Sequence, residues 1–290
     1  MKNDIFRRQN ENKSIEYLAA QRQLYNEAKQ LDAVGVLFSV LIPLLLAIVQ
    51  VFVEDNLFLN VLSYILSIVS MFVSIYMVSW VEQKKEKAAQ IQQKFDIYVF
   101  QMPWDEKLFG IEKSVTEIVA EKSKVLLNKI GERERLINWY PDVVNNATNE
   151  KGIWICQKEN YRWDVNLRKR FKRFSVMIVG VAVFAIIFIG IVKNESVAMM
   201  LCRAAFIVPM LQWLLETIKK LNTDIKALEE LDELINASGK KTMEELQIIQ
   251  GKLYLHRKNC YSIPNIFYKK FKENDEDNAH RTATLDLEEW

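Results

Sequence analysis

The sequence predicts an all-α integral membrane protein: two transmembrane helical hairpins, four spans in all, with a helical cytoplasmic domain. Three observations predict it. Residues 33–80 hold two long apolar runs joined by the four residues Glu54, Asp55, Asn56 and Leu57. Each run reaches the roughly 20 residues a helix needs to cross a hydrocarbon core about 30 Å thick. Neither run contains Lys, Arg, Asp or Glu. The device recurs at 174–218, where the runs 174–192 and 197–215 are separated by Lys193, Asn194, Glu195 and Ser196. Finally, basic residues gather on one side of these runs. Lys84, Lys85 and Lys87 follow the second run; Arg168, Lys169, Arg170, Lys172 and Arg173 precede the third; Lys219 and Lys220 follow the fourth. Positive flanks stay in the cytoplasm, so both termini and the central segment are expected there, with two short external links.

The chain divides on this basis into 1–32, a cytoplasmic N-terminal helix; 33–80, the first membrane hairpin; 81–173, a cytoplasmic domain; 174–218, the second hairpin; 219–272, a cytoplasmic helical region; and 273–290, an acidic, disordered tail. A net charge of +2 names no partner. No cleavable signal peptide is expected, because a charged helical segment precedes the first apolar run. Cys156, Cys202 and Cys260 form no CxxC pair and read as reduced thiols.

In residues 14–32, Ile15, Leu18, Tyr25, Ala28 and Leu31 recur at helical spacing, with Ser14 as the expected N-cap. The first span aligns Ser39, Pro43, Ala47, Gln50 and Glu54 on one face, and the second aligns Ser63, Ser67, Ser70 and Ser74. Small and hydroxylated seams let membrane helices pack closely and hydrogen-bond. The same seams can also line a water-filled pore. The third span shows only Gly180 and Gly190 and reads as lipid-facing.

The fourth span carries Arg203, Pro209, Gln212 and Glu216. An ionisable residue inside a membrane is a functional candidate by default. Arg203 lies about 9 Å along the helix from its external end, so it can instead snorkel to the headgroups. Pro209 removes a backbone donor and is expected to bend this helix.

The second span is expected to continue to the turn at 102–105, with a charged helix over about 111–139 ended by Pro141. The stretch that follows gathers Trp139, Tyr140, Trp154, Tyr161 and Trp163 with Arg162, Arg168 and Arg170. Aromatics of this kind commonly form a core. Beside guanidinium groups they also make a surface on which nucleotides stack and phosphates bind. Leu214, Ile218, Leu221, Ile225, Leu228 and Ile235 form a heptad seam interrupted at Asp232, a candidate contact between subunits. Thr242 with Glu245 is a capping box for a last helix over 243–259.

Catalytic signatures are missing from the sequence. The two histidines, His256 and His280, lie far apart. There is no HExxH, GxSxG, Walker or dinucleotide fingerprint. The expectation is a protein that is not an enzyme and uses no cofactor or metal.

Five blocks, taken in order, carry a resemblance: LAAQRQLYNEAK at 18–29, FDIYVFQMPW at 95–104, NWYPDV at 138–143, ICQKENYRWDVNLRKRF at 155–171 and IQGKLYLHRKNCYSIPNIFYKKF at 249–271. Together with four spans they resemble the SMODS-associated four-transmembrane effector family. These are pore-forming effectors of cyclic-oligonucleotide-based antiphage signalling systems (CBASS). Trp139, Tyr140, Pro141, Cys156, Gln157, Asn160, Trp163, Asp164, Leu167 and Arg168 match the family motif.

The resemblance implies an effector in the bacterial inner membrane that binds a cyclic di- or trinucleotide on its cytoplasmic side and disrupts the bilayer, in abortive infection. Placed on this sequence, Arg162 and Arg168 are the candidates for phosphate contacts, and Trp139, Tyr140 and Trp163 for base stacking. Arg257 and Lys258 would close the site. Ser63, Ser67, Ser70, Ser74, Arg203, Pro209 and Gln212 are the pore candidates. A single four-helix bundle is too narrow for a lumen, so a homo-oligomer is expected, with a tetramer as the working number. No DNA or RNA polymer is expected as a partner. Two competing readings are a membrane-anchored scaffold, whose aromatic block and heptad seam bind another protein, and a transporter.

Overall fold

The computed structural model describes residues 3–53, 57–194, 196–237, 239–267, 270, 282 and 284–287. Within the helices, the side chains of Ser39, Pro43, Ala47, Gln50, Ser63, Ser67, Ser70, Ser74, Trp163, Cys202, Arg203 and Pro209 lie outside what is described, as does Glu54 altogether. Among the described residues every regular element is helical, as the apolar periodicity predicts.

A short helix α1 (Ile5–Gln9) turns into α2 (Asn12–Val36). Ser14 is not the cap. It lies inside α2, buried, and donates to the Arg8 carbonyl at 2.6 Å, so it completes the end of α1 instead. α2 passes through a π-turn (Leu37–Leu41) into α3 (Ile42–Phe52). The π-turn immediately precedes Pro43, which has no N–H to give and crowds the carbonyl one turn back. Widening the turn, with the Ile42 amide reaching the Leu37 carbonyl, lets the helix continue past it.

α4 (Leu57–Phe100) is a single helix of 44 residues, about 66 Å long. It stops where Gln101 takes a left-handed φ of 57° and the Met102 amide caps the Ile97 carbonyl at 3.1 Å, just before Pro103. After α5 (Glu106–Phe109), capped by Asp105, comes α6 (Thr116–Leu127), which packs on α2. The helix predicted over 111–139 is therefore shorter. Beyond Leu127 the chain turns at Gly131 (φ 78°) and at Asn138 (φ 56°), which a continuous helix cannot accommodate.

Thr148 caps α7 (Asn149–Val192), again 44 residues. α8 (Val197–Asn236) runs through Pro209 as one helix, and α9 (Met243–Asn259) opens on the predicted capping box. The boundaries placed at 32, 80, 173 and 218 all fall inside continuous helices. Polar and apolar halves are thus parts of the same rods.

Two kinds of packing divide those rods. The polar halves enclose a large core including Ile15, Leu18, Ile91, Phe95, Phe100, Ile153, Leu228 and Leu253. The apolar halves share only a small cluster, Val40, Val179, Ile186 and Met210. Most of their bulk faces outward: Leu45, Phe58, Phe72, Val181, Phe184, Ile191 and Val208 are all more than half exposed. An apolar surface that extends over four neighbouring segments is far larger than a water-soluble monomer carries. Among the described residues, α7 contains a window long and apolar enough to cross a membrane. Its outward side agrees with a lipid-facing helix, although Val179 and Ile186 form an inward stripe. At Gly190 a Cβ would come within 3.1 Å of Met200, so this glycine allows α7 and α8 to approach.

The heptad seam on α8 is used inside the chain. Of its members Leu221, Ile225, Leu228 and Ile235 are buried, with Leu231 beside them, in contact with α7 and α9, while Leu214 and Ile218 are half-buried. Asp232, which interrupts the pattern, accepts from the Tyr161 hydroxyl on α7. The lower part of the seam, from Leu221 to Ile235, is therefore used for folding within the chain. Most of 273–290 lies outside the described residues. The four at 284–287 nevertheless lie on the polar domain, and Asp286 is buried there, contrary to the expectation of a wholly disordered tail.

Candidate functional site

The polar domain contains two buried charge clusters joined through α9. The first centres on Asp96, a fully buried carboxylate on α4. It accepts from the Tyr140 hydroxyl at 2.7 Å and the Gln250 amide at 2.8 Å, and it pairs with Arg257. Asn160 donates to the Tyr140 oxygen, and Gln157 to Gln250 at 3.0 Å. Burial, then the neighbouring carboxylate, push the Tyr140 hydroxyl well above its usual range, so it stays a donor. Arg257 Nη2, Gln93 Nε2 and Gln157 Oε1 are buried without a hydrogen-bond partner among the described residues. A buried donor or acceptor left unpaired is costly. These are the atoms a polar ligand or a water would satisfy.

The second cluster centres on Arg168 of α7. Its guanidinium bonds Asp164 at 3.1 Å, Asp224 of α8 at 2.6 Å and the Tyr261 carbonyl at 3.0 Å. Asp164 also meets His256 Nε2 at 2.6 Å. Burial works to raise the Asp164 pKa, but the Arg168 charge and the His256 contact outweigh it and hold the carboxyl below its ordinary range. Arg168 is therefore fully committed to protein partners.

α9 is a clamp. Its adjacent residues His256 and Arg257 reach in different directions, to Asp164 on α7 and to Asp96 on α4. Lys258 adds a more exposed pair with Glu86 of α4 at 2.6 Å. α7 and α8 are joined separately by Arg168–Asp224, by Lys169–Glu229 at 2.8 Å and by Lys172 to Asn222 at 2.7 Å. The two helix pairs that enter the apolar layer thus meet through α9.

Tyr25, Lys29 and Asp32 lie one turn apart on α2 beside these clusters. Lys29 donates to Asn265 at 2.8 Å. Burial lowers its pKa from the usual 10.5 to about 8. Between those values the unfolded chain holds more protons than the folded one, so stability rises with pH across that window. Lys29→Met is expected to flatten the rise, as read from thermal melts between pH 8 and 10.5.

The described residues predicted from sequence do not converge on one place. Tyr140, Arg168 and Arg257 belong to the interior clusters. Trp139 is half-buried at the edge of the main core. Arg162 lies elsewhere on α7, bonded to Asp286 at 2.8 Å, and Lys258 sits on its surface pair. Gln212 is exposed on α8 and bonds Glu216 at 3.0 Å. The carboxylates Asp96, Asp164 and Asp224, with Gln93, Gln250 and His256, were not predicted as site residues. One signal was available for Asp96, a lone charge inside the apolar-rich run FDIYVF at 95–100.

Residues 3–285 match the SMODS-associating 4TM effector domain. The chain belongs to this family. A Bacillus cereus (strain VD146) protein named as a probable CBASS effector molecule is similar to the chain, 28% identical over 198 residues. That match covers 66% of the chain and 64% of the relative, so somewhat less than two thirds of the relative's length is spanned. No solved structure matches the chain. The family match runs from before α1 to residue 285, just short of Asp286, and includes both buried charge clusters.

Proposed function

We propose that this chain is a membrane-disrupting effector of a bacterial antiphage system, opened by a cyclic oligonucleotide on its cytoplasmic side. The family assignment supports an effector role, and the relative's name points to CBASS. The observation that carries the mechanism is the α9 clamp on continuous rods. α4 and α7 pass unbroken from the polar domain into the apolar layer, and α9 is bonded to both. A ligand that moves α9 relative to either rod would tilt or rotate the apolar halves. Four spans then rearrange into a conducting or leaking state, built from several copies of the chain. The protein itself needs no catalytic group, cofactor or metal for this.

The test is dye release from vesicles holding the purified protein, against a panel of cyclic di- and trinucleotides. Release with one member is the expected result. Binding without release by any member favours the scaffold reading instead. Topology follows from the charge asymmetry. Reporter fusions at 55 and 194 are expected outside, and those at 20, 130 and 240 inside; a cytoplasmic readout at either link removes the four-span arrangement. A charged lumen would place Arg203 in a ring that favours anions. Arg203→Gln is then expected to change the ion preference of ligand-triggered conductance without changing ligand binding.

A further inference from the structure

Residues 151, 154, 158 and 162 form one stripe of α7. Lys158 is almost completely buried there, its ammonium 4.3 Å above the Trp154 ring. Trp154 is anchored through its indole N–H to the Ile235 carbonyl of α8 at 2.9 Å. Onto this stripe comes Asp286, more than 120 residues away in sequence. Its Oδ1 accepts from Lys158 at 2.5 Å and its Oδ2 from Arg162 at 2.8 Å. The next residue, Leu287, packs at the margin of the main core, and its carbonyl accepts from Lys151.

We propose that Lys158 and Arg162 form a phosphate subsite which the chain's own Asp286 occupies until a phosphodiester ligand displaces it. This rests on the reading that a cyclic oligonucleotide opens the protein. The geometry suits the exchange. A carboxylate bridging two cations with one oxygen each presents what a phosphodiester presents through its two non-bridging oxygens. Trp154 beneath the ammonium supplies an aromatic face at the same place. The subsite also couples to the clamp, because Gln157, beside Lys158, bonds Gln250 and the Leu246 carbonyl of α9. It lies about 18 Å along α7 from the start of the apolar half, out of reach of lipid headgroups.

A docked tail lowers the fraction of binding-competent protein, and apparent affinity falls by that fraction. Calorimetric titration of the full-length protein in nanodiscs, with cyclic di- and triadenylates and guanylates as probes, tests this. Asp286→Asn removes the competing charge. Leu287→Asp undocks the tail while leaving both cations untouched. Both variants are expected to bind the same probe about tenfold more tightly than the unaltered chain, and Arg162→Gln at least about tenfold more weakly. Unchanged affinity in both tail variants, or in Arg162→Gln, overturns the subsite while the effector reading stands. No binding of any probe by any of the four proteins overturns both.

Discussion

Asp96→Ala is expected to unfold the polar domain at temperatures where the unaltered protein is intact. The substitution leaves Arg257 buried without its counter-charge and strips the acceptor from Tyr140 and Gln250. Breaking one side of a buried pair costs about 3–5 kcal/mol, against a total stability of about 5–15 kcal/mol for a typical domain. The pair itself need not be favourable. Taking two charges out of water is expensive, and replacing both with apolar groups is often neutral. Asp96→Leu with Arg257→Met should therefore recover most of what either change alone removes. Melting curves of the single and double variants measure this, and an Asp96→Ala protein that melts like the parent would sink the argument. The same reasoning applies to Arg168→Ala, which strands Asp164 and Asp224. Its main effect is expected on folding, with any loss of ligand affinity secondary.

Arg173→Gly with Phe174→Gly is expected to abolish ligand-triggered dye release while ligand binding survives. Both residues are exposed, at the point where α7 changes from polar to apolar. Phe174 meets Phe267 with ring centroids 5.2 Å apart, so Arg173→Ala with Phe174→Ala is the control that removes the same side chains and leaves the backbone helical. Two glycines weaken the helix by about 2 kcal/mol relative to alanine, enough to let the two halves of α7 move independently. A rod that transmits motion becomes a hinge that absorbs it. The paired measurement is binding by calorimetry and release from vesicles. Release at the parental rate would mean that α7 does not carry the signal, leaving α4 or α8 to do so.

How much of this was legible in the sequence differs from element to element. The all-helical class, the apolar segments, the continuation of the second run to residue 100 and the capping box at Thr242 all follow from neighbours in sequence. Their signals are periodicity, run length and capping residues, which act over a few residues. The aromatic block at 139–163 stands out in the sequence as a distinctive stretch, but its division into core, ion cluster and surface does not. Tyr140 and Arg162 lie close in sequence, yet one turns inward to Asp96 and the other outward to Asp286. Nothing local separates them.

The sequence by itself determined which segments are helical, which are apolar and where basic charge flanks them, because these depend on composition and short-range spacing. Only the tertiary structure decided which charge meets which. Arg257 and Asp96 are 161 residues apart, Arg168 and Asp224 56 apart, and Lys158 and Asp286 128 apart. The same applies to the α8 seam, which looks alike in sequence whether its partner is another subunit or α7. A buried charge is tolerated only where an opposite one reaches it, and that is settled when the helices pack.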